Sequence, residues 1–330
     1  MSERFCKICL EPIGNGASDY HPSCSQRLFG SKYPPRLPYS EKDLNMLAEQ
    51  VVRQHIAVPG VQPKLSLHLD RSGRSDAGRL TLVGLEGGYI LKPSVERFPE
   101  MPELEHLTMQ MARRLEIETA QCGLIDLEDG KKALIVLRMD RVKEMKLAME
   151  DMCQLGDKLS EQKYRGSMES VGRIILRHCD NPGYDVLRFY EVMLFSFLTG
   201  NADMHFKNFS LIRTLEGEIH FSPAYDLLPT VLLLPSDTEE SALTIKGKKK
   251  RLRLKHFQAC GESLQLTERQ MANSLRRFEK GLPEILSMIE RGFCSRETKE
   301  RYRQLILDRW QRLTGTNDEC DSRTHPPSGI

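Results

Sequence analysis

Hydrophobic and polar residues alternate along Lys64-Leu-Ser-Leu-His-Leu69 near the start of the chain, with Arg79 to Val83 a second β-like run and Tyr89 to Lys92 a third. That period of two predicts β-strands, and the polar, Gly-rich stretches between them (71–78 and 86–88) predict turns. Upstream, Leu44, Leu47, Val51 and Val52 recur at helical spacing behind Ser40-x-x-Asp43, a variant of the capping box. Downstream, Leu104, Leu107, Met111 and Leu115 mark one face of a helix from about Glu103, and Ala133 to Arg138 reads as a buried strand. A β-meander, a helix and a strand in that order suit a small N-terminal lobe.

The pattern changes from about Met149, where helical periodicity takes over. Tyr184 to Thr199 is apolar nearly all round, which predicts a buried helix ending at Gly200. Two short strands follow, Asn208 to Ile212 and Glu218 to Phe221, with a turn at Glu216-Gly217. The remainder reads as helical to about Leu313, with Tyr302, Leu305, Ile306 and Trp310 on one stripe. The division expected is a Cys/His unit over 1–30, an N-lobe over 31–140, a helical C-lobe over 141–314 and a polar, disordered tail over 315–330. The fold class is α+β, with two lobes of the protein-kinase kind.

Composition narrows the function classes. The hydrophobic share of 39% and charged share of 28% are those of a globular protein, and the formal net charge of +2 exerts no global pull on nucleic acid or membrane. No apolar run approaches the roughly 18 residues a membrane span needs. An odd count of nine cysteines and no secretory signal point to reduced thiols in the cytoplasm.

Candidate chemistry gathers in Gly200-Asn-Ala-Asp203-Met-His-Phe-Lys207-Asn208 and in Pro223-Ala-Tyr-Asp226. A carboxylate, an amide five residues on and a second carboxylate beyond a hairpin are the parts of a phosphoryl-transfer site. Asp203 would accept the proton of an attacking hydroxyl, and Asn208 and Asp226 would hold Mg²⁺ through hard oxygen ligands. Lys207 would place positive charge on the transferring group. His205 is expected to make a structural hydrogen bond. Taken alone, such a loop is more often an ordinary turn, with Asp226 a helix cap. Lys92 ends a buried strand and Glu105 follows on the next helix, and that pair is how a kinase-type site grips ATP phosphates. Cys6-x2-Cys9-x11-His21-x2-Cys24 has the donor set and spacing of a closed structural Zn²⁺ site, or else is four reduced residues packed in a small unit. The other cysteines show no partner spacing. The basic run from Lys246 to His256 reads as a solvated face, with contact to an acidic partner as the alternative.

Six segments, VPGVQPKLSL (58–67), ILKP (90–93), PELEH (102–106), EDMCQ (150–154), GNADMHFKNFSL (200–211) and PAYDLLP (223–229), resemble the HipA family of Ser/Thr kinases from bacterial toxin–antitoxin modules. The resemblance runs in order from about Pro34 to Leu313. It implies that Asp203 is the catalytic base and that Asn208 and Asp226 are magnesium ligands. It also implies that Lys92 binds ATP, Glu105 is its helix acid, and Gly60, Gln62 and Lys64 belong to the ATP loop. Val136 to Arg138 falls where the family's hinge holds adenine. The family's regulatory serine is replaced here by Ala57 or Pro59, so self-inactivation at that place is not expected; Ser66 and Ser72 are the remaining acceptors. The implied partners are a protein substrate of the aminoacyl-tRNA synthetase class and a helix-turn-helix antitoxin through which DNA is met only indirectly. The family's long forms carry a β-rich N-terminal subdomain, which a separate small protein would supply here. A small-molecule phosphotransferase and an inactive kinase-like scaffold or co-repressor are the competing readings.

Overall fold

In the computed structural model, strand formation follows the alternation closely. The described residues are 3–14, 16, 18–44, 46–47, 63–71, 78–83, 87–142 and 145–315. The chain opens with a hairpin, β1 (Arg4–Phe5) and β2 (Pro12–Ile13), and helix α1 (Pro22–Phe29). Then come β3 (Leu65–Asp70), β4 (Arg79–Val83), β5 (Tyr89–Pro93), α2 (Met101–Arg114), β6 (Cys122–Asp126) and β7 (Lys132–Leu137). Strands β3 to β7 form one antiparallel sheet in the order β4-β3-β5-β7-β6.

Both faces of this sheet are covered. Leu65, Leu67, Tyr89, Leu91, Ala133 and Ile135 pack with Cys6, Ile8, Tyr20, Cys24, Leu28 and Phe29 of the N-terminal segment. Leu124, Leu134 and Val136 point the other way and join α2 in the large core. Burial on both sides explains why β5, β6 and β7 read as apolar runs rather than clean alternation. It also decides where Lys92 goes. Since neighbouring strand residues face opposite ways, Lys92 lies on the α2 side, opposite to Leu91.

After two short strands, β8 (Arg141–Val142) and β9 (Met145–Lys146), a second sheet begins with β10 (Met149–Asp151). Helices α3 (Met152–Leu155), α4 (Met168–His178) and α5 (Pro182–Thr199) follow, then β11 (Ser210–Arg213) and β12 (Ile219–Phe221), which complete the sheet β10-β11-β12. The last helices are α6 (Thr230–Leu233), α7 (Leu254–Ser263), α8 (Glu268–Arg291) and α9 (Arg296–Thr314). Phe189, Tyr190 and Phe195 of α5 are fully buried, as its nearly uniform apolarity predicts. Phe189 meets Phe209 edge-to-face at 5.3 Å, which ties the β11–β12 hairpin to α5.

The structure corrects several expectations. Met149 to Asp151 is a strand rather than the start of helix, and β6 is not among the expected strands because its Cys-Gly-Leu-Ile-Asp sequence has neither alternation nor β-branched enrichment. Asn208 belongs to a 3₁₀ turn over Phe206–Asn208, so the strand starts at Ser210. Residues 222–253 are largely irregular, with only α6 helical. Ser40 and Asp43 do bond reciprocally at the start of the helical residues 41–44. The rest of that expected helix, the ATP-loop residues Gly60 and Gln62, Ala57, Pro59, Ser72 and the tail beyond 315 lie outside the described residues. Among the described helices none is long and apolar enough to cross a membrane.

Candidate active site

Helix α5 stops where it does because Gly200 adopts φ +74°, and a Cβ there would meet Leu305 at 2.6 Å. The loop that follows is fastened at nearly every residue. Ala202 N–H donates to Thr230 Oγ1 (2.9 Å), His205 N–H to the Asp203 carbonyl (2.8 Å) and Asn208 N–H to the His205 carbonyl (2.9 Å). The buried Asn201 bridges two halves of the site: its Oδ1 accepts from Asp203 N–H and its Nδ2 donates to the Asp226 carbonyl. Asn208 Nδ2 donates to the Asp203 carbonyl (2.9 Å), which leaves the amide oxygen as the end available to a cation. Asp226 sits at φ +54°, an uncommon setting for a residue with a Cβ, and the loop contacts hold it there.

These loops face β5 and α2 across a cleft of about 860 Å³. Lys92, only 4% exposed in its side chain, forms a very short ion pair with Glu105 of α2, whose side chain is 3% exposed. The same ammonium reaches Asp226 Oδ1 at 2.5 Å, and Lys64 Nζ reaches Asp226 Oδ2 at 2.7 Å. Two lysines thus face two carboxylates. Burial by itself would raise the Asp226 carboxyl, but Lys92 and Lys64 outweigh it and hold Asp226 well below the usual range. Burial would likewise lower Lys92, and the attraction of Asp226 and Glu105 reverses the sign, so it stays an ammonium. Glu105 is pushed up by burial against the pull of Lys92.

Asp203, Lys207, Asn208, Val136 and Arg138 also line this cleft. Lys207 Nζ lies 3.3 Å from Ser160 Oγ and 3.9 Å from Asp151 Oδ2. Asp151 caps α3 in a capping box with Gln154, and its strand pairs with β11 opposite Ser210. At the expected hinge, the N–H groups of Leu137 and Arg138 are already donated to the carbonyls of Gln121 and Gly88. The Arg138 guanidinium is held by Asp140 at 2.9 and 2.8 Å. A base seated there would be read by carbonyls and side chains rather than by those two amides.

Tyr164 is a site residue that sequence reasoning does not find. Its hydroxyl donates to Asp203 Oδ1 at 2.9 Å, and its ring meets His205 edge-to-face at 5.1 Å. It lies in a polar stretch with no periodicity to mark it. His205 departs from expectation: among the described residues its buried Nδ1 has no partner, and burial lowers its pKa. Ser66 is a strand residue whose Oγ accepts from Gly87 N–H. In the basic run Lys246, Lys248, Lys250, Arg251 and Lys255 are exposed, as a solvated face requires, while Lys249 pairs with Glu239 and the Leu252 N–H donates to Glu240.

A protein-family model described as the HipA-like C-terminal domain matches residues 56–285. A kinase-named protein of Haemophilus influenzae is 29% identical over 239 residues, 68% of this chain and 68% of that protein. Kinase Y4dM of Sinorhizobium fredii is 31% identical over 59% of this chain, which spans about half (49%) of that relative's length. The serine/threonine-protein kinase toxin HipA of Shewanella oneidensis is 26% identical over 81% of this chain and 66% of its own length. The solved complex of the Shewanella oneidensis MR-1 toxin–antitoxin system HipA, HipB and its operator DNA superposes with a TM-score of 0.65 at 22% identity, over 81% of this chain and 71% of that one. That structural likeness speaks for the two-lobed kinase-like fold. The family-model match over 56–285, more than half of the chain, together with the kinase-named relatives, makes this chain a member of the HipA family of kinases.

Proposed function

We propose that this chain transfers the γ-phosphoryl group of Mg-ATP to a serine or threonine hydroxyl of a protein. The observation that carries the reading is the convergence of Lys92, Glu105 and Asp226 from a strand, a helix and a distant loop on one cleft that also receives Asp203 and Asn208. Asp226 and the Asn208 amide oxygen make a hard-oxygen donor pair that fits Mg²⁺. Mg²⁺ held there would offset the negative charge of the phosphates.

Lys92 and Lys64 neutralise Asp226 in the ligand-free chain. ATP phosphates would offer them other anions, which would free the Asp226 carboxylate to act as a metal donor. Glu105 keeps Lys92 aimed at the cleft through that exchange. Asp203 takes the proton from the attacking hydroxyl as its oxygen bonds to the γ-phosphorus and the bond from that phosphorus to the bridging oxygen breaks, so that ADP leaves with that oxygen. Tyr164 donates to Oδ1 of Asp203, which leaves Oδ2 as the basic oxygen. Lys207 supplies further positive charge at the mouth. Val136 and Arg138, with Gly60 and Gln62 of the ATP loop, would hold the nucleotide.

The name of the Shewanella relative, a serine/threonine-protein kinase toxin, favours a protein acceptor over a small molecule. Under this reading the target is an aminoacyl-tRNA synthetase, whose phosphorylation stops translation, and the chain meets a helix-turn-helix antitoxin as HipA meets HipB. The test is transfer from labelled ATP into cell lysate by the wild-type chain and by Asp203→Asn. Transfer should fall about 10³-fold in the variant, within the range for loss of a general base, with growth arrest lost in parallel. Equal labelling by the two proteins would sink the proposal.

A further inference from the structure

Away from the cleft, the hairpin turn between β1 and β2 and the start of α1 bring Cys6, Cys9, His21 and Cys24 together, with all four ligand atoms within 4.8 Å of one another. His21 is the N-cap of α1 and Cys24 lies in its first turn. Cys9 Sγ is 3.4 Å and Cys24 Sγ 3.8 Å from His21 Nδ1. Tetrahedral zinc with bonds of about 2.3 Å to sulfur and 2.0 Å to nitrogen needs about 3.6 Å between such atoms.

The imidazole is set for this. His21 Nε2 lies 3.0 Å from the Pro12 carbonyl, which can only accept, so Nε2 carries the proton and the Nδ1 lone pair faces the sulfurs. The three cysteines are free thiols. Arg27 Nη2 donates to Cys24 Sγ at 3.4 Å, which suits a thiolate. Simple apolar packing explains buried cysteines but not three sulfurs around an imidazole lone pair.

We propose that these four residues bind one Zn²⁺ in a closed structural site, and that this metal braces helix α2 beside Glu105. Binding converts the three thiols to thiolates, three protons leaving to solvent as three Zn–S bonds and one Zn–N bond form. The brace runs through the turn between the first two cysteines. The Lys7 carbonyl accepts from Leu124 N–H on the open edge of β6 (2.8 Å), and the Ile8 carbonyl accepts from the buried His106 Nε2 (3.1 Å). His106 is next to Glu105 on α2. Tyr20 Oη donates to the Leu124 carbonyl and Tyr89 Oη to the Leu28 carbonyl, so the zinc unit is fastened to the sheet on both sides. The bearing on Glu105 rests on the kinase reading; the metal site does not.

The test uses the full chain. Elemental analysis should give about one zinc per chain, and an organomercurial should release it in step with thiol titration. Replacement by Co²⁺ should give the intense absorption of tetrahedral cobalt-thiolate. Cys9→Ser should lose the metal, and His21→Cys should keep it. Should Cys9→Ser prove insoluble, the mercurial and cobalt experiments on wild type decide alone. Zinc far below one per chain with all thiols reduced, or a cobalt spectrum without thiolate bands, overturns the site. Metal removal should speed amide exchange at Leu124 and along residues 105–111 about tenfold; unchanged exchange there overturns the brace. Neither readout needs ATP, so loss of the kinase reading would show separately, as metal-loaded protein that transfers no phosphate.

Discussion

Lys92, Glu105 and Asp226 reach one another from elements up to 134 residues apart, whereas Cys6, Cys9, His21 and Cys24 come from a single stretch, residues 6–24. The first group is charge-balanced: Lys64 and Lys92 face Glu105 and Asp226. Every member has a partner in the ligand-free chain, and a substrate must exchange those partners to bind. The second group has three sulfur donors and an imidazole lone pair, with Arg27 donating to one of the sulfurs. One cluster is suited to turnover because its contacts are replaceable. The other is suited to staying put, since only a cation can satisfy all four donors at once. On the readings proposed above, a catalytic site and a structural metal site differ here in how charge is neutralised before anything binds.

That contrast can be broken at its centre. Lys92→Met should abolish phosphoryl transfer and destabilise the chain by about 3 kcal/mol, because the buried Glu105 would lose its cation beside Asp226, which keeps only Lys64. Urea unfolding measures this. Adding Glu105→Leu should restore most of the stability and none of the activity; a single variant as stable as wild type would mean that the three charges do not meet.

The next effect tests how the two regions are joined. Burial lowers the His106 pKa from its ordinary value of 6.5 to about 4, so between these values the unfolded chain binds the proton and the folded chain does not. Its contribution is therefore complete above about pH 6.5 and lost as pH falls toward 4, by about 3 kcal/mol in all. Unfolding measured across that window should show a shallower acid loss in His106→Gln than in wild type, and parallel curves would argue against a buried neutral imidazole.

The smallest effect concerns Tyr164. Removing the single hydroxyl that bonds Asp203 should cost about 1.5 kcal/mol, roughly a tenfold fall in kcat for Tyr164→Phe with KM for ATP unchanged. A changed KM with intact kcat would move Tyr164 from positioning the base to binding the nucleotide.

Much of this site is legible in the amino-acid sequence. Lys92 stands out as a charge closing an apolar strand, and Asp203, Asn208 and Asp226 as polar residues gathered around a hairpin. Gly200 announces the end of α5 because glycine takes the left-handed conformation of a helix end at no steric cost. Tyr164, Asn201 as a bridge and the use of the Leu137 and Arg138 amides by neighbouring backbone are not legible there. Each depends on a partner brought close by the fold, and neither composition nor periodicity encodes that meeting. Strand β6 is hidden for a related reason: its apolar residues are buried on both faces, and the cover on one of them is the N-terminal segment itself.

Sequence by itself determined most of the elements, though not β6, β10 or the irregular stretch over 222–253, together with the donor types and the local Cys/His spacing, because these follow from side-chain alternation and chain geometry over a few residues. Tertiary structure alone decided that Asp226 shares Lys92 with Glu105, that Tyr164 bonds Asp203, and that the turn holding Cys6 and Cys9 leans on the helix of Glu105. Those outcomes belong to the packing of two cores against a common sheet, where burial strengthens or reverses what each charge would do in water.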